Sequence, residues 1–180
     1  DYKSKYLLSL VLCRDGYSKL PKDNRWGTFP GISAGWVLSR ENFMESCSNV
    51  LSYAKIRASY GANGNVSGVL DANGNVVTGL DYYTVQGSYG IMKDKDGKIV
   101  PNYNGKVPLM INDLPNPTMR WEKSYTFETG FDIGFLNNKY ILNFTYYNRH
   151  TQDKFAEITL PSHSGVSSFL SNNGEVQNQG

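Results

Sequence analysis

The sequence contains no long hydrophobic run, and its mean hydropathy is −0.46. A helix that crosses a bilayer needs about 20 mostly apolar residues in a row, so transmembrane helices are excluded. A membrane β-strand remains possible, because its residues face lipid and water alternately and its average hydropathy stays modest. The low hydropathy therefore does not decide between a soluble protein and a membrane protein built of strands.

Charge of one sign and cysteine are also scarce. The net charge is +2 over 180 residues, and no cluster of Lys and Arg is interleaved with aromatic residues, so we expect no nucleic-acid partner. The two cysteines, Cys13 and Cys47, lack the CxxC spacing of a zinc or redox site. We expect them to be unpaired structural thiols.

Motifs of catalytic chemistry are missing as well. The two histidines, His150 and His163, lie outside any HExxH-type pattern, and no GxSxG sequence occurs. The run that begins at Asp94 resembles the start of a calcium loop, but Gly105 stands where that loop needs a bidentate glutamate. The sequence therefore predicts no enzyme, no cofactor and no metal site.

Aromatic residues and glycine are abundant instead, with 13 Tyr, 8 Phe, 3 Trp and 18 Gly. Aromatic side chains favour strands, and Gly and Asn favour tight turns, so the composition predicts an all-β protein. Residues 125–135 alternate large apolar side chains with Thr, Glu, Gly and Asp, and residues 140–149 repeat the alternation after a turn at 137–139. This period of two predicts a hairpin with one apolar and one polar face.

The same pattern predicts the arrangement of the whole chain. Strands are expected at residues 2–14, 29–38, 53–61, 121–135 and 140–149, followed by a polar stretch from Gln152 and a sixth strand from Glu175. Their lengths suit tilted strands that cross a bilayer, which takes about 9–11 residues. Residues from about 62 to 116 form a long loop, expected to be extracellular, while the opposite, periplasmic connections are shorter. We expect about five to six strands of a larger transmembrane antiparallel barrel, seen as an open curved sheet with long extracellular loops.

Three sets of side chains follow from this arrangement. Lys or Arg facing lipid near the bilayer centre would cost about 2–4 kcal/mol, so charged strand residues are expected to face the lumen and to bond to one another. These lumen-facing charges are Lys55, Arg57, Glu128, Asp132 and Arg149. The aromatic residues expected at the membrane interfaces are Trp36, Phe43, Tyr60, Trp121, Tyr125, Phe135 and Tyr140. The candidate substrate contacts, which could stack on sugar rings from the extracellular loops, are Trp26, Tyr82, Tyr83 and Tyr89.

Five segments, in order along the chain, resemble the signature sequences of one family. They are RDGYSK and DNRWGTFP within residues 14–30, SAGW and ENF within 33–43, KIRASYGANGN at 55–65, NPTMRWE at 116–122 and NNGEVQNQG at 172–180. These segments are similar to those of the SusC/RagA family of TonB-linked (TonB-dependent) outer-membrane transporters of Bacteroidota. The resemblance spans nearly the whole chain apart from the long loop. Cys13 and the Lys19-Leu20-Pro21 stretch depart from the residues usual in that family.

The resemblance implies that residues 1–180 are part of the barrel domain of a 22-stranded barrel, whose plug domain and TonB box lie outside this chain. It also implies active import of glycan oligosaccharides or peptides across the outer membrane. The expected partners are outer-membrane lipid, a SusD-like surface lipoprotein, and TonB through the absent N-terminal region. Alternation alone leaves two other hypotheses open, a passive porin-type barrel and a soluble glycan-binding β-sandwich module.

Overall fold

The computed structural model describes residues 1–47, 50–66, 69–70, 76–77, 80, 85–100, 104, 106–166 and 168–180. Strands account for most of them. In chain order these are β1 (Tyr6–Gly16), β2 (Trp26–Val37), β3 (Leu51–Asn65), β4 (Val69–Leu70), β5 (Val76–Val77), β6 (Ser88–Ile91), β7 (Leu109–Asp113), β8 (Glu122–Phe135), β9 (Tyr140–Thr159) and β10 (Ser168–Gln179). Short 3₁₀ segments lie at Lys22–Asn24, Leu38–Arg40, Asn42–Cys47 and Ser162–Ser164.

The six long strands form one antiparallel sheet in the order β1-β2-β3-β8-β9-β10. Neighbours in the sheet are also neighbours in sequence, except that the long connection between β3 and β8 lies outside the sheet. Within the described residues, β1 and β10 each pair on one side only, so the sheet is open. This confirms the predicted all-β fold and the predicted open antiparallel sheet.

The hairpin of β8 and β9 shows how the sequence dictates the register. Phe131 lies opposite Phe144, and their rings stack with centroids 5.2 Å apart. The chain reverses through Leu136, Asn137 and Asn138, which all have positive φ angles of 50–60°. Asn tolerates this left-handed conformation better than most residues. The hairpin predicted from alternation is therefore confirmed, with its turn at the Asn pair.

Several predicted strand boundaries were wrong, since β2 begins at Trp26 rather than residue 29 and β3 continues to Asn65 rather than residue 61. The strand expected from residue 2 begins at Tyr6, because Lys3 and Ser4 both have φ of 51° and reverse the chain. The polar stretch expected from Gln152 belongs to β9, which continues to Thr159, and β10 starts at Ser168 rather than Glu175. Ladder hydrogen bonds hold these ends as strand although the apolar alternation that marks a strand in the sequence has faded there.

The long connection contains two small antiparallel pairs, β4 with β5 and β6 with β7. Lys93 and Ile99 form an additional isolated bridge around the turn that contains Gly97. The long loop therefore contains hairpins of its own. No helix in the described part of the chain is long and apolar enough to span a membrane.

A buried hydrophobic cluster lies at the end of the sheet remote from the β8–β9 turn. Its buried members are Leu20, Phe29, Leu80, Met119, Trp121 and Phe155. They come from the β1–β2 connection, the long loop and three strand ends, so the cluster ties the loops to one rim of the sheet. Cys13 and Cys47 are both free thiols, and both are exposed.

Candidate functional site

One face of the sheet is apolar and exposed. The register aligns its side chains in rows that cross four or five strands. One row contains Tyr6, Trp36, Ile56, Phe131 and Phe144, and another contains Leu10, Ile32, Tyr60 and Phe127. Leu10 is 72% exposed, and the other members of the second row are exposed as well. A water-soluble protein seldom leaves so large a contiguous apolar surface uncovered, so this face is built to contact an apolar medium or a partner.

The opposite face carries the charged strand residues. The register places Lys55, Arg57, Glu128, Asp132 and Arg149 together on it, since Lys55 lies opposite Asp132 and Arg149 opposite Thr126. The Arg57 guanidinium lies 3.5 Å from the Asp132 carboxylate and donates a hydrogen bond to the Thr145 hydroxyl. Arg149 donates to the hydroxyl of Thr126 over 3.3 Å. Arg57 therefore links three adjacent strands.

Small residues beside these charges leave a shallow cavity of about 390 Å³ on the charged face. Ser33 and Gly35 of β2 and Ser59 of β3 line it together with Arg57 and Glu128. Further along, Gly61 of β3 lies beside Gly31 of β2, and a Cβ added at Gly61 would lie 3.5 Å from the Gly31 Cα. No side chain of these two residues therefore covers the backbone of the two strands there. The arrangement offers charges of both signs and hydroxyl groups to whatever occupies this face.

Five of the aromatic residues expected at the membrane interfaces lie on the apolar face of the sheet. By register, Trp36, Tyr60, Tyr125, Phe135 and Tyr140 belong to the apolar face. Phe43 lies in a 3₁₀ segment between β2 and β3 and is exposed.

Trp121 was predicted to lie at a membrane interface, and this prediction was wrong, because its side chain is buried. It is only 8% exposed, packs edge-on against Phe29 with centroids 5.5 Å apart, and donates its indole N–H to the Arg25 carbonyl over 3.2 Å. β2 and β3 pair only as far as Gly31 and Gly61, and the aromatic rings fill the gap beyond them. A Cβ at Gly64 would lie 1.9 Å from the Phe29 ring, so a side chain at this position would clash with the ring.

Sequence reasoning missed the polar side chains that fix this end of the sheet. Glu122 is 2% exposed and accepts hydrogen bonds from the Asn65 amide at 3.0 Å and the Phe155 backbone N–H at 2.8 Å. Asn116 donates to the Leu170 carbonyl at 2.8 Å, and Asn172 donates to the Arg120 carbonyl at the same distance. Three of these anchors, Asn116, Glu122 and Asn172, fall within the NPTMRWE and NNGEVQNQG segments, which was the signal available.

The four candidate substrate contacts have different outcomes. Trp26 is the first residue of β2, 61% exposed, and has the same parity as Ile32 and Trp36, so it lies on the apolar face with the Arg14 guanidinium 5.4 Å from its ring centroid. This contradicts its prediction as a loop residue that meets substrate. Tyr89 lies in β6 and is 75% exposed. Tyr82 and Tyr83 lie outside the described residues.

At the rim that contains the β8–β9 turn, one carboxylate accepts three hydrogen bonds. Glu41, in the β2–β3 connection, accepts hydrogen bonds from the Trp36 indole at 3.1 Å, the Tyr6 hydroxyl at 2.8 Å and the Lys5 ammonium at 3.0 Å. The Tyr6 and Trp36 rings stack with centroids 6.2 Å apart. The hydrogen bonds from Trp36, Tyr6 and Lys5 hold the pKa of Glu41 below its ordinary value of 4.5.

Glu41→Gln is expected to change how stability depends on pH. Because the pKa is lowered in the folded state, the ionised Glu41 stabilises the fold fully above pH 4.5 and loses that contribution as the pH falls through the folded-state pKa. The variant should therefore be less stable than the parent protein at pH 7 and lose less stability on acidification. Melting temperatures of the full-length protein in detergent at pH 7 and pH 3 measure this, with Glu45→Gln as the control. Identical profiles for the two variants would contradict the assignment.

The comparisons with known proteins agree with this geometry. Residues 13–180 match the family described as TonB dependent receptor-like, beta-barrel. TonB-dependent receptor P3 of Formosa agariphila is 33% identical over 180 residues, which cover 100% of this chain and 16% of that protein. TonB-dependent receptor SusC of Bacteroides thetaiotaomicron is 31% identical over 178 residues, which cover 98% of this chain and 16% of SusC.

A solved structure shows the same fold. A chain of the RagAB peptide importer in its open-open state superposes with a TM-score of 0.78 at 22% identity, covering 99% of this chain and 17% of that one. This chain thus spans about one sixth of the length of its relatives. The relatives are named as receptors and transporters rather than enzymes, which fits the absence of catalytic motifs in the sequence. Because the family match extends over nearly the whole sequence and the open sheet has the fold of a barrel wall, the chain belongs to the TonB-dependent receptor β-barrel family of outer-membrane proteins and is similar to its SusC/RagA members.

Proposed function

We propose that this chain forms part of the wall of a 22-stranded outer-membrane barrel that imports nutrients, with energy delivered through TonB. The observation that carries the proposal is the two-faced sheet, with exposed apolar rows on one side and Lys55, Arg57, Glu128, Asp132 and Arg149 on the other. Outer-membrane strands alternate in this way, with lipid on the apolar side and the lumen on the polar side.

The charged face is assigned to the lumen on energetic grounds. A charge at the bilayer centre is costly, whereas in the lumen Arg57 can keep its contacts with Asp132 and Thr145. Glu128 and Lys55 make no ion pair with any described side chain. They are therefore available to the plug domain, which the family resemblance places inside the barrel and outside this chain.

The substrates are proposed to be glycan oligosaccharides or peptides. One relative is SusC, and another similar protein is named as a peptide importer, so both classes are supported by similarity. A SusD-like surface lipoprotein is the proposed lid on the extracellular side. Tyr89, exposed on a hairpin of the long loop, remains a candidate for stacking on a sugar ring or a peptide side chain.

Uptake by cells that produce the full-length protein tests the proposal. Fluorescently labelled oligosaccharides and peptides should enter energised cells, and uptake should fall to the level of transporter-deficient cells after deletion of TonB or treatment with a protonophore. The reason is that a plugged barrel admits large solutes only when TonB acts on the plug. A strain lacking an unrelated porin is the matched control.

The same measurement separates the alternatives. Uptake that persists unchanged without TonB would overturn energised import and favour a passive porin. The soluble β-sandwich is already contradicted, because Leu10, Ile32, Tyr60 and Phe127 stay exposed and are not covered by a second sheet within the described residues.

A further inference from the structure

The rim that contains the β8–β9 turn combines cations with stacked aromatic rings. Tyr2 and Tyr6 flank a tight turn, closed by the Tyr2 N–H donating to the Tyr6 carbonyl over 2.9 Å. Within this turn the positive φ of Lys3 sends its ammonium over the Tyr2 ring, 5.3 Å from the centroid. The Tyr2 ring lies 6.4 Å from that of Tyr6, which stacks on Trp36. The rim thus presents three rings and a lysine side by side.

A second cation is fixed at the same turn. The Arg40 guanidinium donates a hydrogen bond to the Ser4 carbonyl over 2.9 Å, which holds it next to Lys3 along the chain. Arg40 ends the 3₁₀ segment that follows β2. Arg40 is therefore anchored to the residue that follows Lys3, so both cations belong to the part of the rim around the Tyr2–Tyr6 turn.

The Glu41 carboxylate at the same rim is already bound by other side chains. Glu41 accepts hydrogen bonds from Lys5, Tyr6 and Trp36, and only Lys5 forms an ion pair with it. Neither Lys3 nor Arg40 forms an ion pair with any described carboxylate. Both cations are exposed, and their charge is not neutralised by a carboxylate of the described part of the chain, so it remains open to an anionic ligand.

An apolar groove begins beside this rim. It has a volume of about 330 Å³ and is lined on the apolar face by Leu38, Ala54, Ile56, Phe131, Ile133 and Phe144. Leu38, which lines the groove, and Arg40 belong to the same 3₁₀ segment and are two residues apart in the sequence. A ligand that matches both features has an anionic head and a hydrocarbon tail.

We propose that this rim binds an anionic glycerophospholipid, with its phosphate diester at Lys3 and Arg40 and its acyl chains along Trp36 and the groove that begins at Leu38. The inference rests on the proposed lipid-facing role of the apolar face. Charge complementarity selects the phosphate, because the two cations form no ion pair with a described carboxylate and stand at the depth of the aromatic rings, where lipid head groups lie. Rim cations of this kind contribute about fivefold each to binding of an anionic lipid, which corresponds to roughly 1 kcal/mol per residue.

The test uses the full-length transporter, delipidated in detergent and titrated with phosphatidylglycerol, with bound lipid counted by native mass spectrometry. The double variant Lys3→Gln and Arg40→Gln should bind phosphatidylglycerol about 30-fold more weakly than the parent protein. Lys139→Gln, which removes a cation of the same rim from the β8–β9 turn, should bind it as the parent does. Phosphatidylcholine should bind weakly to all three proteins.

The outcomes separate this inference from the proposed function. Unchanged phosphatidylglycerol binding in the double variant would overturn the site, as would equal binding of phosphatidylcholine or displacement of the lipid by an equal concentration of inorganic phosphate. TonB-dependent uptake by the double variant should remain intact. A transporter that needs no detergent and shows no TonB-dependent uptake would instead overturn the proposed function.

Discussion

Replacing Trp121 with alanine is expected to destabilise the loop-bearing end of the sheet by about 3–5 kcal/mol, the usual cost of deleting a buried Trp or Phe side chain. The ring is 8% exposed, lies 5.5 Å from Phe29 and 6.4 Å from Tyr17 between centroids, and bonds to the Arg25 carbonyl. Its removal would leave a cavity among the rings and remove one of the two hydrogen bonds to the Arg25 carbonyl, which would keep only the Tyr17 backbone N–H. The cluster joins segments from distant parts of the chain, so its loss should destabilise all of these segments.

Hydrogen exchange of the full-length protein in detergent measures this effect. Peptides that cover residues 116–122 and the end of β9 should exchange faster by the factor that corresponds to the lost free energy. Trp26→Ala is the matched control, because Trp26 is 61% exposed and its contact with Arg14 is worth only about 0.5–1 kcal/mol. Equal effects of the two substitutions would show that Trp121 does not hold the cluster together.

Phe144→Arg is expected to impair insertion of the barrel and to lower its free energy of unfolding by about 2–4 kcal/mol, as for a cation on the lipid face near the bilayer midplane. Phe144 stacks on Phe131 in the row that crosses from Tyr6 to β9. The substitution removes this contact and places a charge on the apolar side. Denaturant titration of the protein refolded into lipid vesicles measures the difference.

Asn143→Arg is the control on the same strand. Asn143 lies opposite Asp132 on the charged face, so an arginine there can remain in water beside a carboxylate. It should fold and insert nearly as well as the parent protein. If Asn143→Arg were the more damaging of the two substitutions, the assignment of the two faces would have to be exchanged.

Much of the fold could be predicted because alternation directly reports which way each side chain points. The face of Lys55, Arg57, Glu128, Asp132 and Arg149 followed from parity within each strand, and the register brings them together. The β8–β9 hairpin was equally visible, since two strongly alternating segments flank Asn137 and Asn138.

Alternation does not predict the direction of a side chain where a strand begins or ends, and the wrong predictions for Trp26 and Trp121 show why. Trp26 looks like a loop residue because polar residues precede it, yet ladder pairing with Gly16 makes it the start of β2. Trp121 immediately precedes β8, so no ladder fixes its direction, and contacts with Phe29 and Arg25 from elsewhere in the chain decide it. Such contacts between distant segments leave no periodic trace in a single sequence.

The length of β9 has a consequence for how the molecule meets its surroundings. Its 20 residues, at about 3.4 Å each and a tilt of about 45°, rise some 45 Å along the membrane normal, while the hydrocarbon is about 30 Å thick. The far end of this strand, around Phe155, therefore projects beyond the acyl chains. On this proposed placement, a lipid-borne quencher should reach a fluorophore attached at Phe144 but not one attached at Glu157, which is also exposed on β9.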